Sequence, residues 1–162
     1  MTIFGKTLSQ YLSFQKYILW LIIVVGLARL GLSLANVPDS TTKWLSISIV
    51  GVIGLIYYAI RVHTRGFGSY MQLLPLLVIQ GFLSQAIIIA AIAIAAFTGK
   101  DNVFSVREFS GAMYGKPWLH AAGHMVFGGI IIPLLGWGVA SALMWVVKKM
   151  TAQEPAARGT GA

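Results

Sequence analysis

Two histidines four residues apart, His120 and His124, are the side chains whose type and spacing could do chemistry. On an α-helix, residues i and i+4 lie one above the other on the same face. Both imidazoles can then reach one divalent ion such as Zn or Cu. Glu108 or Met125 is a candidate to complete the shell, although Met125 lies about 100° from His124 on the helical wheel. No Glu follows His120, so the zinc-protease motif is absent. The bland alternative is a pair of neutral histidines hydrogen-bonded to polar neighbours, and proton handling is a third possibility. A bis-His haem needs histidines facing each other from two helices. His63, the remaining histidine, falls at the other end of the chain's second helix. A haem therefore requires Met or a partner chain as its second ligand. The absence of Cys excludes disulfides, thiolate metal sites and Cys nucleophiles, and the Ser, Thr and Asp residues show no triad grouping.

The elements that must position these histidines are membrane segments. Of 162 residues, 57% are hydrophobic and 10% charged, against about 25% charged in soluble domains. Apolar runs near 20 residues place the chain in the membrane class as one domain. The expected fold is all-α, a bundle of four transmembrane helices at about 16–36, 42–62, 70–97 and 117–150. Residues 1–15 read as a cytoplasmic or interfacial segment, and 151–162 as a disordered tail. Ser33 and Ala35 match the −3 and −1 positions of a signal-peptidase site, but Arg29 interrupts the apolar region, so the first segment reads as a retained helix. Asp39 or Ser40 suits the N-cap of the second helix. Pro75 falls in the first turns of the third. Pro117 suits the first helical position of the fourth, with Trp118 at the interface. The connector of about 20 residues before Pro117 is the one long loop, where loop function is expected.

Small and polar residues mark contact faces between helices in lipid. Gly26, Arg29, Ser33 and Asn36 make one stripe; Gly51, Gly54, Tyr58 and Arg61 make another. Gln80 and Ser84 share a face, with Ala86, Ala90 and Ala93 as a small ridge nearby. His120, His124 and Gly128 align, and Gly138 with Ala142 forms a small-xxx-small contact. At 1.5 Å per residue, Arg29 and His124 each lie about 10 Å inside the same boundary. An intramembrane Arg costs several kcal/mol unless paired, which points to Arg29, Ser33 and Asn36 as a polar cluster, with Glu108 closing it over the histidines. At the other end, Arg61, His63 and Arg65 beside Gly66-Phe67-Gly68 form a basic patch that could grip a lipid headgroup or other anion; ordinary positive-inside anchoring is the simpler and preferred explanation.

Net charge is +8, from 12 basic and 4 acidic residues. No basic soluble face exists to carry nucleic acid, so the charge is assigned to topology. Lys6, Lys16, Arg61, Arg65, Lys148, Lys149 and Arg158 fall on one side; Lys43, Lys100, Lys116 and Arg107 fall on the other. The positive-inside rule then puts both termini in the cytoplasm.

Arg61-Val62-His63-Thr64-Arg65-Gly66-Phe67-Gly68-Ser69-Tyr70, followed by Leu73-Leu74-Pro75, resembles a stretch in a family of small four-helix bacterial integral membrane proteins of acidobacteria type. Thr98-Gly99-Lys100-Asp101-Asn102-Val103-Phe104-Ser105 and Lys116-Pro117-Trp118-Leu119-His120, with His124, are similar as well. The resemblance spans roughly residues 42–149. It implies a fold and a bacterial inner-membrane location, and transfers no catalytic residue. The expected function is a non-enzymatic structural or interaction subunit, partnered by the lipid bilayer and by other membrane subunits or itself. The alternatives are a metal- or haem-associated protein using His120 and His124, and a small-solute or ion conductor formed by oligomerisation.

Overall fold

The computed structural model describes residues 2–158. The described residues are all-α apart from one short hairpin. Strands β1 (Thr2–Ile3) and β2 (Lys6–Thr7) pair antiparallel, Thr2 with Thr7 and Ile3 with Lys6. Phe4 and Gly5 turn between them with positive φ, 48° and 79°, the backbone a two-residue hairpin of matching twist needs. Helix α1 (Leu8–Leu34) follows at once, opened by a reciprocal cap between Thr7 and Gln10. It starts eight residues before the sequence-based expectation because that cap and hairpin carry no hydropathy signal.

Among the described residues, four helical segments are long and apolar enough to cross a membrane: Leu8–Leu34, Asp39–Thr64, Tyr70–Thr98 and Pro117–Ala152. The second comprises α2 (Asp39–Thr42) and α3 (Ile47–Thr64). Asp39 occupies the first turn of α2 and Pro38 the cap, without a side-chain capping bond; the expected Asp39 or Ser40 cap does not form, and Asp39 is used elsewhere. Helix α4 (Tyr70–Thr98) is capped by Ser69 with Gln72 and ends on Gly99 at φ 68°, the left-handed stop that glycine allows. The connector holds α5 (Arg107–Ser110) and a 3₁₀ turn at Gly111–Met113.

The fourth span is composite. Helix α6 (Pro117–Gly123) opens on Pro117, runs into a π-helix at His124–Ile131, and continues as α7 (Ile132–Arg158). Proline inside an α-helix lacks an N–H and crowds the carbonyl four residues back. The wide π turns lie directly before Pro133 and absorb that conflict. The expected disordered tail is corrected in part: helix continues through Arg158, and residues 159–162 lie outside the described residues.

Helix α4 packs against α1, α3 and α7, and α3 bridges α1 and α7. On α1 the buried residues are Tyr11, Gln15, Ile18, Ile22, Gly26 and Leu30, a stripe at steps of three and four. The remaining sides carry large exposed apolar residues, Leu27, Val52, Phe82 and Leu135 among them, as lipid-facing helices do. Trp44, Tyr114 and Trp118 are exposed at the connector end of the bundle, and Trp145 towards the other, in keeping with interfacial belts. Glycines set the closest approaches. A Cβ at Gly26 would meet Ile47 and Ile87, and one at Gly54 would overlap Gln80. The glycines of the stripes expected on α1 and α3 therefore do face neighbours. The ridge Ala86, Ala90, Ala93 does not, since Ala86 and Ala90 are exposed and Ala91 and Ala95 are buried instead.

Candidate functional site at the connector end

His120 is buried and His124 half-buried. Their Nε2 atoms lie 3.1 Å apart, with ring centroids at 4.8 Å. His124 is in turn held by α4, where Gln85 Oε1 accepts from its Nδ1 at 2.9 Å. That bond assigns the Nδ1–H tautomer to His124, leaving its Nε2 lone pair to accept from His120. Gln85 lies across the Cα of Gly128, where any Cβ would overlap its amide. The π turns that begin at His124 thus also present Gly128 to α4. Gln85 is the histidine partner that sequence reasoning did not place here, because a helical wheel for α4 alone does not say which residue of the fourth span it meets.

The connector does fold back into the bundle mouth, but through other residues than expected. Asn102 is fully buried; its Nδ2 donates to Ala91 O at 2.7 Å and its Oδ1 accepts from Phe104 N at 3.0 Å. Val103 N donates to Ser33 Oγ at 2.8 Å, tying the connector to α1. Ser105 Oγ donates to Asp101 Oδ1 at 3.0 Å, and Ser110 Oγ donates to Ser105 O at 2.7 Å.

This arrangement corrects the expected cluster. Arg29 pairs with Asp39, Nη2 to Oδ1 at 2.8 Å, while Glu108 is exposed. The Arg29 guanidinium also sits 5.8 Å from the ring of Phe109. Phe109 lines the cleft next to Ser33 and Asp39 as well as the cleft that holds His120 and His124, so an aromatic ring stands where Glu108 was expected. Of the cluster Arg29, Ser33, Asn36, the first two touch the connector through Phe109 and Val103, and Asn36 borders the cleft between α1 and the connector. Asn36 is exposed and takes φ 58° just beyond α1, which makes it a helix terminator. Asp39 supplies the partner because it follows α1 after a turn of a few residues, a shorter return than the one Glu108 would need.

The metal shell expected from His120, His124 and Glu108 is likewise incomplete. Among the described residues no three His, Asp or Glu side chains group as metal ligands, and Met125 is exposed. Met113 instead shares with both histidines a cleft of about 310 Å³. A second cleft of about 280 Å³ brings His120 together with Asp101 and Tyr114. The pair cannot flank a haem, because two imidazoles of one helical turn with nitrogens 3.1 Å apart leave no room for the macrocycle.

The basic residues at the other end do not converge. Arg61 sits 5.8 Å from the Tyr57 ring, His63 bonds Thr151 of the last helix at 3.1 Å, and Arg65 is exposed. Comparison of the chain with family models, curated proteins and solved structures gives no match.

Proposed function

We infer that this chain is a small integral module of the bacterial cytoplasmic membrane, with both termini in the cytoplasm, that works by associating with another membrane subunit or with a second copy of itself. The observation that carries this reading is the outward placement of small residues on the lipid-facing side. Gly138 and Ala142 on α7 are exposed, and a Cβ at Gly138 would meet nothing within 4 Å. Ala86 and Ala90 make a similar exposed pair on α4. Surfaces built to meet lipid alone have no need of such residues, whereas close helix–helix approach does. The orientation is supported by the excess of Lys and Arg at the hairpin end, and the bacterial setting by the resemblance of the loop motifs. Replacing both residues, Gly138→Ile with Ala142→Ile, leaves the fold unstrained. The wild type is expected as a larger species than the variant in native mass spectrometry from mild detergent, or with a co-purifying membrane protein that the variant loses. Equal masses for the two sink the reading.

The facing Nε2 atoms of His120 and His124 favour a second reading, a metal-associated membrane protein. Two imidazole nitrogens about 2.0–2.1 Å from one ion at a tetrahedral angle stand roughly 3.3 Å apart, close to the observed 3.1 Å. Metal content of the intact protein, purified without chelator beside the His120→Ala/His124→Ala variant, is expected to show one ion per chain that the variant lacks.

A further inference from the structure

We propose that Met113 joins His120 and His124 to form a Cu(I) site in the connector-end cleft. The proposal rests on the metal-associated reading and adds the third ligand and the identity of the ion. Three observations carry it. First, the two imidazoles already converge, Nε2 to Nε2 at 3.1 Å, and the one on His124 is aimed by Gln85 at 2.9 Å. Histidines that ligate metals are commonly oriented through the other ring nitrogen in this way. A shift of the His120 proton from Nε2 to Nδ1 gives both lone pairs to the ion without loss of a proton.

Second, the 3₁₀ turn at Gly111–Met113 delivers a thioether to the same cleft. Met113 Sδ and Cε lie 3.4 Å from where a Cβ on Gly123 would stand. Gly123 falls between the two histidines in sequence and starts the turn that leads into the π-helix. The missing side chain there lets the thioether settle against the helix.

Third, the donor set is neutral. Glu108 is exposed, Asp101 in the adjoining cleft is engaged by Ser105 and Tyr114, whose hydroxyls donate to Oδ1 at 3.0 Å and Oδ2 at 3.3 Å, and the chain has no Cys. Two imidazoles and a thioether without an anionic ligand suit a soft monovalent ion. A divalent ion would bring a second uncompensated charge into a partly buried site.

The test is an anaerobic Cu(I) titration of the full chain in mild detergent, against bicinchoninate as a chromogenic competitor, with Zn(II) titrated in parallel and copper-edge X-ray absorption on the loaded protein. Expected are one Cu(I) per chain, preference over Zn(II), and a sulfur neighbour in the absorption spectrum. Met113→Leu conserves volume, so the fold is kept. It should remove the sulfur neighbour and weaken Cu(I) about tenfold or more, with Zn(II) affinity unchanged. Gln85→Leu, at a positioning residue, should weaken both metals by roughly 10–100-fold with the sulfur neighbour retained, and His63→Asn should change nothing. Circular dichroism and elution volume check that each variant is folded. Copper that binds through the histidines but ignores Met113→Leu, or Zn(II) that displaces it, overturns the proposal and leaves the two-histidine metal reading standing. Folded protein that takes up neither metal overturns both.

Discussion

The two ends of the bundle hold their charged and polar side chains by different means. At the connector end they bind one another. Arg29 meets Asp39 in the one ion pair found among the described residues, Asn102 is buried and doubly bonded, and the two histidines form a chain with Gln85. At the hairpin end cations lie on aromatic rings with no ion pair among the described residues, whereas Arg29 at the connector end has both a ring and a carboxylate. Lys6 stands 5.1 Å from the Phe67 ring, Lys148 4.1 Å from Tyr70 and Lys149 4.2 Å from Trp145. Asp39, Asp101 and Glu108, three of the four acidic residues, are at the connector end. A cation over a ring keeps its charge outward for lipid phosphate, whereas hydrogen-bonded pairs fix side chains at set positions. One end would suit an anchor, and the other the site proposed above.

The largest expected effect is on the polar end. Asn102→Leu leaves Phe104 N and a backbone carbonyl without their buried partners and should cost about 2–3 kcal/mol, read as a lowered unfolding temperature in detergent. A loss no greater than that of an exposed substitution would dissolve the contrast between the ends. Next is a double-mutant cycle on Arg29→Leu and Asp39→Asn. Because Asp39 is 41% exposed, a coupling of only about 1 kcal/mol is expected, whereas the cycle of Arg29→Leu with Glu108→Gln should be additive. Coupling to Glu108 in place of Asp39 would redraw the mouth. The smallest effect belongs to the anchor. Lys148→Gln with Lys149→Gln should change stability by no more than about 1 kcal/mol, yet weaken recruitment of anionic over neutral vesicles to the detergent-free hairpin face by roughly 1 kcal/mol per charge. Co-sedimentation with phosphatidylserine vesicles measures it, and an unchanged preference would argue against an anchor.

Much of this molecule is legible in its hydropathy. The third span was expected at 70–97 and runs Tyr70–Thr98, and the fourth opens at Pro117 as expected. The spacing of His120 and His124 placed their imidazoles together. Partners across the connector were not legible, since Asp39 and Glu108 are both acidic residues at one end of the bundle and only the folded loop decides between them. Gly138 and Ala142 were expected in a contact within the chain and are exposed. The π-helix explains part of that difference. Each residue added to a helical turn swings everything after it by roughly 100°, so a wheel drawn straight through His124–Ile131 misfaces the rest of α7. Ala86 had a simpler reason. It stands two residues from Ser84, about 200° around the helix, on the opposite side from the face to which it was assigned.

The hairpin at the start of the chain has a consequence for biosynthesis. Phe4 O accepts from Gln72 Nε2 at 2.6 Å, and Lys6 Nζ stands 5.1 Å from the Phe67 ring. Residues 67 and 72 leave the ribosome some sixty residues after the hairpin they hold. The first span therefore enters the bilayer with its leading segment unfastened. The latch can close only once the second span and the start of the third have been synthesised.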